Sequence, residues 1–181
     1  MPFRNRAEAG QRLAQALLPY VDKTLAGDEL VVLALPRGGV PVAYPVAKAL
    51  GAPFDAWVVR KVGAPRQPEL ALGAVGPEGL EIVNPAIVRA LRVSQPTLRQ
   101  ALDKAHAELA KRQERLRGDG PFPSVAGKTV FLIDDGLATG YTALAALGAL
   151  RKLAPAGIVV AVPVCSPEAA ALVAKEADGL V

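Results

Sequence analysis

The stretch VFLIDDGLATGYTA, residues 130–143, decides how the rest of the chain is interpreted. Four apolar residues lead into two adjacent aspartates, Asp134 and Asp135, and then into a segment rich in glycine and threonine. The apolar run predicts a buried strand, and apolar residues resume at helical spacing from residue 143. The loop between them therefore joins a strand to a helix, which is where open α/β sheets bind ligands.

The loop itself has the composition of a phosphate-binding site. Gly136 and Gly140 leave the backbone amides unobstructed, and the hydroxyls of Thr139 and Thr142 add hydrogen-bond donors. An ATP-type phosphate loop requires Gly-Lys-Ser/Thr, whereas Tyr141 follows the glycine here, so that loop class is excluded. The sequence predicts that a phosphate monoester binds at the start of this helix.

The two aspartates need partners other than the phosphate, which would repel them. Ionised carboxylates accept hydrogen bonds from the vicinal hydroxyls of a sugar, or help to hold a divalent metal. A phosphate on one side and a diol on the other describe a ribose 5-phosphate. We therefore expect Asp134 and Asp135 to fix the ribose, directly or through metal-bound water.

Composition and charge indicate an ordinary globular protein. A chain of 181 residues suits one domain with a substantial core, and 21 basic against 17 acidic residues give a net charge of +4. This mild basicity suits an anionic ligand and does not require nucleic acid. Cys165 is the only cysteine, which excludes an internal disulfide and favours a reducing compartment. With no apolar run near the ~20 residues that span a bilayer, a soluble, cytoplasmic protein is expected.

Short apolar runs alternate with helical patterns along most of the chain. The predicted helices are residues 6–20, 40–50, 143–153 and 167–177, and the predicted strands are residues 29–35, 54–62, 129–133 and 157–164. This alternation predicts an α/β fold, a Rossmann-like open parallel sheet with helices on both faces. A further strand is expected to begin in the final DGLV, which leaves open that the native protein continues beyond Val181.

The middle of the chain departs from that alternation. Residues 63–83 are rich in glycine and proline and predict a mobile loop followed by a hairpin that turns at residues 77–79. Residues 85–117 predict a small helical annex, with Ser94 as the N-cap of its second helix.

The segment VFLIDDGLATGYT resembles the 5-phosphoribosyl-1-pyrophosphate (PRPP) signature of type I phosphoribosyltransferases. In that signature four apolar residues precede two acids, two small or apolar residues and a small-Thr-Gly-x-Thr loop. The resemblance implies catalytic roles for Asp134 and Asp135, which would also bind Mg2+ through water. It further implies that the 5-phosphate of PRPP is held by Ala138, Thr139, Gly140, Tyr141 and Thr142.

A second segment agrees with this resemblance. LALPRGGVPVA, residues 33–43, is similar to the short loop of the same family that holds pyrophosphate. The matching contacts would be Arg37 and the backbone of Gly38 and Gly39, since arginine presents a fork of donors suited to phosphate oxygens. The alternative is a glycine turn before a helix with a surface arginine.

A third segment, VVRKVGAPRQPELALGAV at residues 58–75, resembles the strand end and mobile catalytic loop that closes over PRPP and excludes water. Its alternative is a solvated hairpin. Arg60 and Lys61 would bind pyrophosphate, with Lys61 also acting in catalysis. Hypoxanthine-guanine enzymes have an aspartate at the position of Ala138, whereas Ala-Thr-Gly is similar to adenine enzymes, in which a loop glutamate manages the proton of the base. Glu69 is the candidate here.

Taken together, the likeness is to a group of stand-alone bacterial phosphoribosyltransferase-domain proteins and covers most of residues 3–180. It implies a single domain over residues 1–181 with a parallel core and a small hood. It also implies Mg2+ dependence and displacement of pyrophosphate by a nitrogen nucleophile, such as a nucleobase-like acceptor in nucleotide metabolism. A homo-oligomer is compatible with this fold.

Two alternatives remain open from the sequence. The same fold serves in PRPP-sensing regulators and in catalytically idle binding proteins, which sequence cannot separate from enzymes. In addition, residues 86–102, ending in LRVSQPTLRQAL, resemble a helix-turn-helix whose Arg99 would face DNA. Against DNA binding, the second helix continues in amphipathic phase to Leu116, as expected of a scaffold helix.

Overall fold

The computed structural model describes residues 3–24, 29–65, 67–117 and 121–181. The chain forms two compact units, the first from residues 1–57 and 123–181 and the second from residues 58–122. Within the described ranges, the first unit contains a five-stranded sheet and the second a three-stranded sheet.

The helices and strands follow one another in the order expected of an α/β chain with an inserted antiparallel segment. In chain order they are α1 (Arg6–Thr24), β1 (Leu30–Ala34), α2 (Val40–Leu50), β2 (Phe54–Ala56), β3 (Arg60–Ala64), β4 (Gln67–Val75), β5 (Glu81–Val83), α3 (Pro85–Ala90), α4 (Gln95–Arg117), β6 (Thr129–Ile133), α5 (Tyr141–Leu150), a 3-10 turn (Arg151–Leu153), β7 (Gly157–Ala161), α6 (Pro167–Val173) and β8 (Gly179–Leu180). In these described ranges, no helix is long and apolar enough to cross a membrane.

The first unit is built on a parallel sheet with the strand order β2-β1-β6-β7-β8. Leu17 of α1 and Val46 of α2 pack against Phe131 in one hydrophobic core. The alternate strand residues, such as Leu33 and Leu132, are buried as well, so both faces are covered and the strands lack an apolar-polar alternation. The predicted open parallel sheet flanked by helices is confirmed.

The order of the strands reverses between β1 and β6. From β1 the chain continues outward to β2, whereas from β6 it continues to β7 and β8 on the other side. The two strands end level, because Ala34 pairs with Ile133 and the amide of Leu35 donates to the carbonyl of Ile133 at 2.8 Å. Open α/β sheets bind ligands at the carboxyl ends of the strands at such a reversal. The loops at residues 35–39 and 134–140 are at this position.

The second unit is an antiparallel sheet, β3-β4-β5, with α3 and α4. Helix α4 contacts β3 and β4 and buries Leu98, Leu102 and Leu109. The turn between β4 and β5 lies at residues 76–80, where the amide of Gly76 donates to the carbonyl of Leu80 at 2.9 Å. The expected hairpin turn is therefore present, and the mobility of this region stays a prediction.

The predicted strand over residues 54–62 is wrong. Its two halves are β2, in the parallel sheet, and β3, in the antiparallel sheet, with residues 57–59 between them. The amide of Trp57 donates to the carbonyl of Ala34 at 2.8 Å, and Trp57 and Val58 are both buried. Burial continues across the break, so the apolar pattern does not show where the chain leaves one sheet for the next.

The predicted strand over residues 157–164 also ends early, at Ala161. The segment at residues 162–166 then leads into α6 and makes contacts with the loop after β6. The strand expected at the end of the chain is present as β8, which pairs in parallel with β7.

Candidate ligand site at the carboxyl ends of β1 and β6

The loop after β6 ends in Gly140, whose φ of 78° lies in the left-handed region that favours glycine. Helix α5 begins at the next residue, and Gly140 supplies no side chain to cap it. The first amides of α5 therefore receive no acceptor from their own N-cap and are available to an anion. Thr139 and Thr142 flank this point, and both are exposed.

The loop after β1 also leads into a helix, but fewer of its amides are free. The amide of Gly39 donates to the carbonyl of Leu35 at 2.9 Å, and Pro41, near the start of α2, has no amide hydrogen. Helix α2 begins at Val40 after Gly39, again without a side-chain cap. A Cβ at Gly39 would lie 2.5 Å from the carbonyl oxygen of Ile133 and 2.6 Å from that of Leu35. Only glycine fits where this loop crosses the end of β6. Arg37 is exposed beside it, after a cis peptide bond to Pro36.

The two loops touch through Gly38 and Asp135. A Cβ at Gly38 would collide with the carboxylate of Asp135. Two sets of residues that are about a hundred positions apart in the sequence are thus brought together: the predicted pyrophosphate loop and the predicted ribose-binding acids.

Asp134 and Asp135 lie in different environments. Burial is the main cause that raises the pKa of Asp134 to about 6, and the neighbouring charge of Asp135 adds to it. The Oδ1 atom of Asp134 accepts a hydrogen bond from the amide of Asp135 at 2.8 Å, which acts in the opposite direction. Asp134 therefore exchanges its proton closer to neutral pH than an ordinary aspartate.

Asp135 is instead paired with Arg6, which the sequence analysis did not identify. The Nε atom of Arg6 donates to Oδ2 of Asp135 at 2.8 Å, and its Nη2 atom lies 2.7 Å from the same oxygen in an ion pair. Arg6 is the first residue of α1 and lies 129 positions before its partner. Nothing local in the sequence marks it, because the contact depends on how α1 packs on the sheet. Arg6 supplies one of the compensating charges that the adjacent aspartates require.

Arg6 and Asp135 also line a cavity of about 830 Å³ within the first unit. Its remaining walls are largely apolar and include Phe3, Val42 and Val164. A cavity with apolar walls and a few charged groups is the usual form of a small-molecule site, and this volume suits one.

A metal cage made by the protein alone is not present in the described part of the chain. No three His, Cys, Asp or Glu side chains there lie close enough together to hold an ion. Asp134 and Asp135 offer carboxylate oxygens, which Mg2+ prefers, but one carboxylate is shared with Arg6. Such a donor set fits an ion that is held mainly by ligand oxygens and water.

The other predicted site residues belong to the second unit. Arg60 forms an ion pair with Glu108 of α4. Arg60 and Lys61 line a groove of about 450 Å³ together with Lys104. The backbone of Glu69 lies in β4, and its side chain is outside the described residues. A part for Arg60, Lys61 and Glu69 in ligand binding stays a prediction.

The arginine expected to face DNA has partners in the second unit. Arg99 is paired with Glu81 at 2.6 Å and with Asp103 at 2.7 Å. The helix that carries it buries its apolar face on β3 and β4. These contacts give the DNA-binding alternative no support.

Comparison with known proteins agrees with this geometry. Residues 5–180 match the model of the phosphoribosyl transferase domain. The chain is 42% identical over 179 residues to a Mycobacterium tuberculosis H37Rv protein named "Putative phosphoribosyl transferase Rv0571c". That match covers 99% of this chain and 39% of the relative, so the chain spans about two fifths of the length of the curated relatives it matches.

Solved structures show the same fold. Protein TT1426 of Thermus thermophilus is 44% identical, with a TM-score of 0.76 over 98% of this chain and 82% of that one. A purine phosphoribosyltransferase of Pyrococcus horikoshii shares the fold at 16% identity, with a TM-score of 0.52 over 97% and 80% of the two chains. The chain therefore belongs to the phosphoribosyl transferase domain family and has the type I phosphoribosyltransferase fold.

Proposed function

We propose that this chain is a Mg2+-dependent phosphoribosyltransferase that binds PRPP and lets a nitrogen nucleophile of a small, nucleobase-like acceptor displace pyrophosphate. One observation carries the proposal. Helix α5 begins with uncapped amides at the reversal of a parallel sheet, and the carboxylates of Asp134 and Asp135 lie at the same point, against the loop that carries Arg37. Uncapped amides suit phosphates and carboxylates suit a diol, which are the groups that PRPP carries.

Each part of PRPP has a matching part of the site. The 5-phosphate is bound by residues 138–142, where the amides at the start of α5 are free of a side-chain cap. The ribose hydroxyls donate to Asp134 and Asp135. The pyrophosphate is bound by Arg37 and by the backbone of Gly38, whereas the amide of Gly39, expected to take part, already donates to Leu35.

Catalysis in this proposal depends on the leaving group. As the bond from the acceptor nitrogen to the anomeric carbon forms, the bond to pyrophosphate breaks and the electron pair leaves with the pyrophosphate. Stabilising that charge is the largest contribution expected of the protein, and Arg37 supplies a fork of donors for it. A bound Mg2+, held by Asp134 and Asp135 through water, would polarise the pyrophosphate oxygens.

The acceptor binds in the cavity beside Asp135. The cavity is large enough for a heterocycle, and Arg6 contacts Asp135 at its edge. Ala138 has no group that could handle a proton of the acceptor, so we assign that role to Glu69. Closure of the segment that carries Glu69 would exclude water, which competes as a nucleophile.

The test is to incubate the protein with PRPP, Mg2+ and a panel of nucleobases and to measure pyrophosphate. We expect at least one acceptor to release pyrophosphate well above the rate with PRPP alone. Binding of PRPP by calorimetry without release by any acceptor would favour a PRPP-sensing or non-catalytic protein. Failure to bind PRPP would contradict the proposal as a whole.

A further inference from the structure

The segment at residues 162–166 supports the loop after β6 at three points. The amide of Leu137 donates to the carbonyl of Val164 at 3.0 Å, and the amide of Ser166 donates to the carbonyl of Leu137 at 2.9 Å. The third contact comes from a side chain: the Ser166 hydroxyl donates to the carbonyl of Ala138 at 2.8 Å. Ala138 is the first residue of the segment to which we assign the 5-phosphate.

We propose that Ser166 is a positioning residue for phosphate binding, which holds the Ala138 carbonyl so that the next amide, that of Thr139, is directed toward the phosphate. This inference rests on the proposed function. It assigns to Ser166 a role that the sequence motif does not include, because Ser166 lies 28 residues beyond Ala138.

The planarity of the peptide bond links the direction of the Ala138 carbonyl to that of the Thr139 amide. A peptide bond is planar, and in its trans form the C=O and the following N–H point in opposite directions. Fixing the Ala138 carbonyl toward Ser166 therefore turns the Thr139 amide away from Ser166. Thr139 and its neighbour Ala138 are both exposed, so a ligand can reach this peptide unit. A freely rotating peptide would present its carbonyl to the phosphate part of the time, which is repulsive.

The Ser166 hydroxyl is itself held in one orientation. Its oxygen accepts from the amide of Ala169 at 3.0 Å, as the N-cap of α6. A hydroxyl has one proton, and with the oxygen engaged by α6 that proton is left for Ala138. The far end of the loop lies close to the same helix, since a Cβ at Gly140 would be 3.3 Å from Val173 and 3.4 Å from Ala169. Helix α6 and its N-cap therefore adjoin the loop at both ends.

Two of the three contacts use only backbone atoms, so the effect of the Ser166 side chain can be measured separately from theirs. The hydrogen bonds that join Leu137 to Val164 and Ser166 involve only main-chain atoms. They do not depend on the Ser166 side chain, so the loop should stay attached to the segment after β7 in the Ala, Gly and Thr variants. Loss of the hydroxyl should therefore disturb the Ala138 peptide and phosphate affinity selectively.

The experiment is a calorimetric titration with ribose 5-phosphate of the full chain and of the variants Ser166→Ala, Ser166→Gly and Ser166→Thr. We expect about tenfold weaker binding in the Ala and Gly variants, which corresponds to about 1.4 kcal/mol. The Thr variant keeps the hydroxyl and should bind within about twofold of wild type. Glycine is a far better N-cap than alanine, so equal weakening in the two variants would exclude loss of the α6 cap as the cause.

A matched control and a local readout complete the test. Asn84→Ala removes a side-chain cap from α3 in the second unit and should leave the affinity for ribose 5-phosphate unchanged. Inorganic phosphate should move the Thr139 amide resonance in wild type and move it less in Ser166→Ala.

Two sets of outcomes would overturn the inference. Wild-type affinity in the Ala and Gly variants, or weakening in the Ala variant alone, would overturn it while leaving the proposed function standing. A wild-type protein that binds neither ribose 5-phosphate nor PRPP would overturn both.

Discussion

The helices of this protein begin in two different ways. Four of them start at a side-chain cap: Asn5 caps α1, Asn84 caps α3, Ser94 caps α4 and Ser166 caps α6. The remaining two described helices, α2 and α5, start after Gly39 and Gly140 with no side-chain cap. Both follow the strands between which the sheet reverses its order.

The difference shows where the fold leaves hydrogen-bonding capacity for a ligand. Glycine is only a few tenths of a kcal/mol poorer than Ser or Asn as an N-cap, so glycine at the starts of α2 and α5 costs little stability. At α5 it leaves amides with which a bound anion can interact, together with the helix dipole. Under the proposed function, the uncapped starts face the ligand, whereas the caps of α1, α3 and α4 stabilise their helices.

The largest effect is expected from the carboxylates between the uncapped helices. Asp134→Asn combined with Asp135→Asn should weaken PRPP binding by at least about 100-fold, since each carboxylate accepts charge-assisted hydrogen bonds from the ribose. The thermal unfolding transition should persist, because neither side chain lies inside a strand. Calorimetry with PRPP and Mg2+ measures the first effect.

Asp178→Asn is the matched control for the double variant. Asp178 belongs to the same unit but accepts from the amide of Ile158, near the amino end of β7. PRPP affinity should stay at the wild-type value in this control. Unchanged PRPP affinity in the double variant would contradict the ribose assignment.

Gly39→Ala should have the next largest effect, because it tests the uncapped start of α2. The added Cβ would be 2.5 Å from the carbonyl oxygen of Ile133, so the loop must move. We expect unfolding free energy to fall by about 2 kcal/mol and PRPP affinity to fall about tenfold or more as the Arg37 loop shifts. Urea unfolding and calorimetry measure the two effects.

Gly148→Ala is the same substitution at a position with free space, and we expect it to stabilise the protein. Nothing lies within 4 Å of a Cβ at Gly148, which is inside α5. The helix should gain about 0.5–1 kcal/mol of stability with PRPP binding retained. Equal changes of stability in Gly39→Ala and Gly148→Ala would contradict the inference that a side chain at position 39 collides with the end of β6.

Much of this fold could be predicted from local patterns in the sequence. The buried strand before Asp134 and the glycines after it have local causes, namely an uninterrupted apolar run and the need for a left-handed residue at Gly140. The Ser94 cap was predictable for the same reason, since a cap acts on the amide three residues later.

What could not be predicted depends on contacts between distant segments. Arg6 reaches Asp135 across 129 residues, and Ser166 reaches Ala138 across 28. Neither side chain differs in sequence context from an ordinary surface residue. The division of residues 54–62 between two sheets was missed because burial continues through Trp57 and hides the break. Gly38 likewise meets Asp135 because β1 and β6 are neighbours in the sheet, and the local sequence pattern does not show which strands are neighbours.

A smaller effect is expected at a capped helix. Asn84 accepts from the amides of Ala86 and Ile87, and α3 buries none of its residues. Asn84→Ala should therefore destabilise α3 locally by about 1 kcal/mol, while PRPP binding stays as in wild type. Hydrogen exchange at the amides of Ala86 and Ile87 should become several-fold faster. Reduced PRPP affinity in this variant would contradict the expectation that the cap of α3 contributes to stability and not to ligand binding.

The smallest effect concerns the pH dependence of α1, whose first turn carries a carboxylate. Glu8 accepts from Arg4 at 2.8 and 2.9 Å and from Arg12 at 3.0 Å, and the hydrogen bond from the Arg4 side chain is the main cause that lowers the pKa of Glu8 to about 2 from 4.5. A lowered pKa means that this group stabilises the folded state above about pH 4.5 and loses that contribution as the pH falls toward 2.

Glu8→Gln removes the titrating group and should flatten the acid side of the stability curve. The variant should be slightly less stable than wild type at neutral pH, and the difference should shrink as the pH falls through this window, because the carboxylate of wild type is then protonated too. Urea unfolding at several pH values between about 6 and 2 measures it. Curves that stay parallel down to the lowest pH would show that the charge of Glu8 contributes nothing to the stability of the folded state.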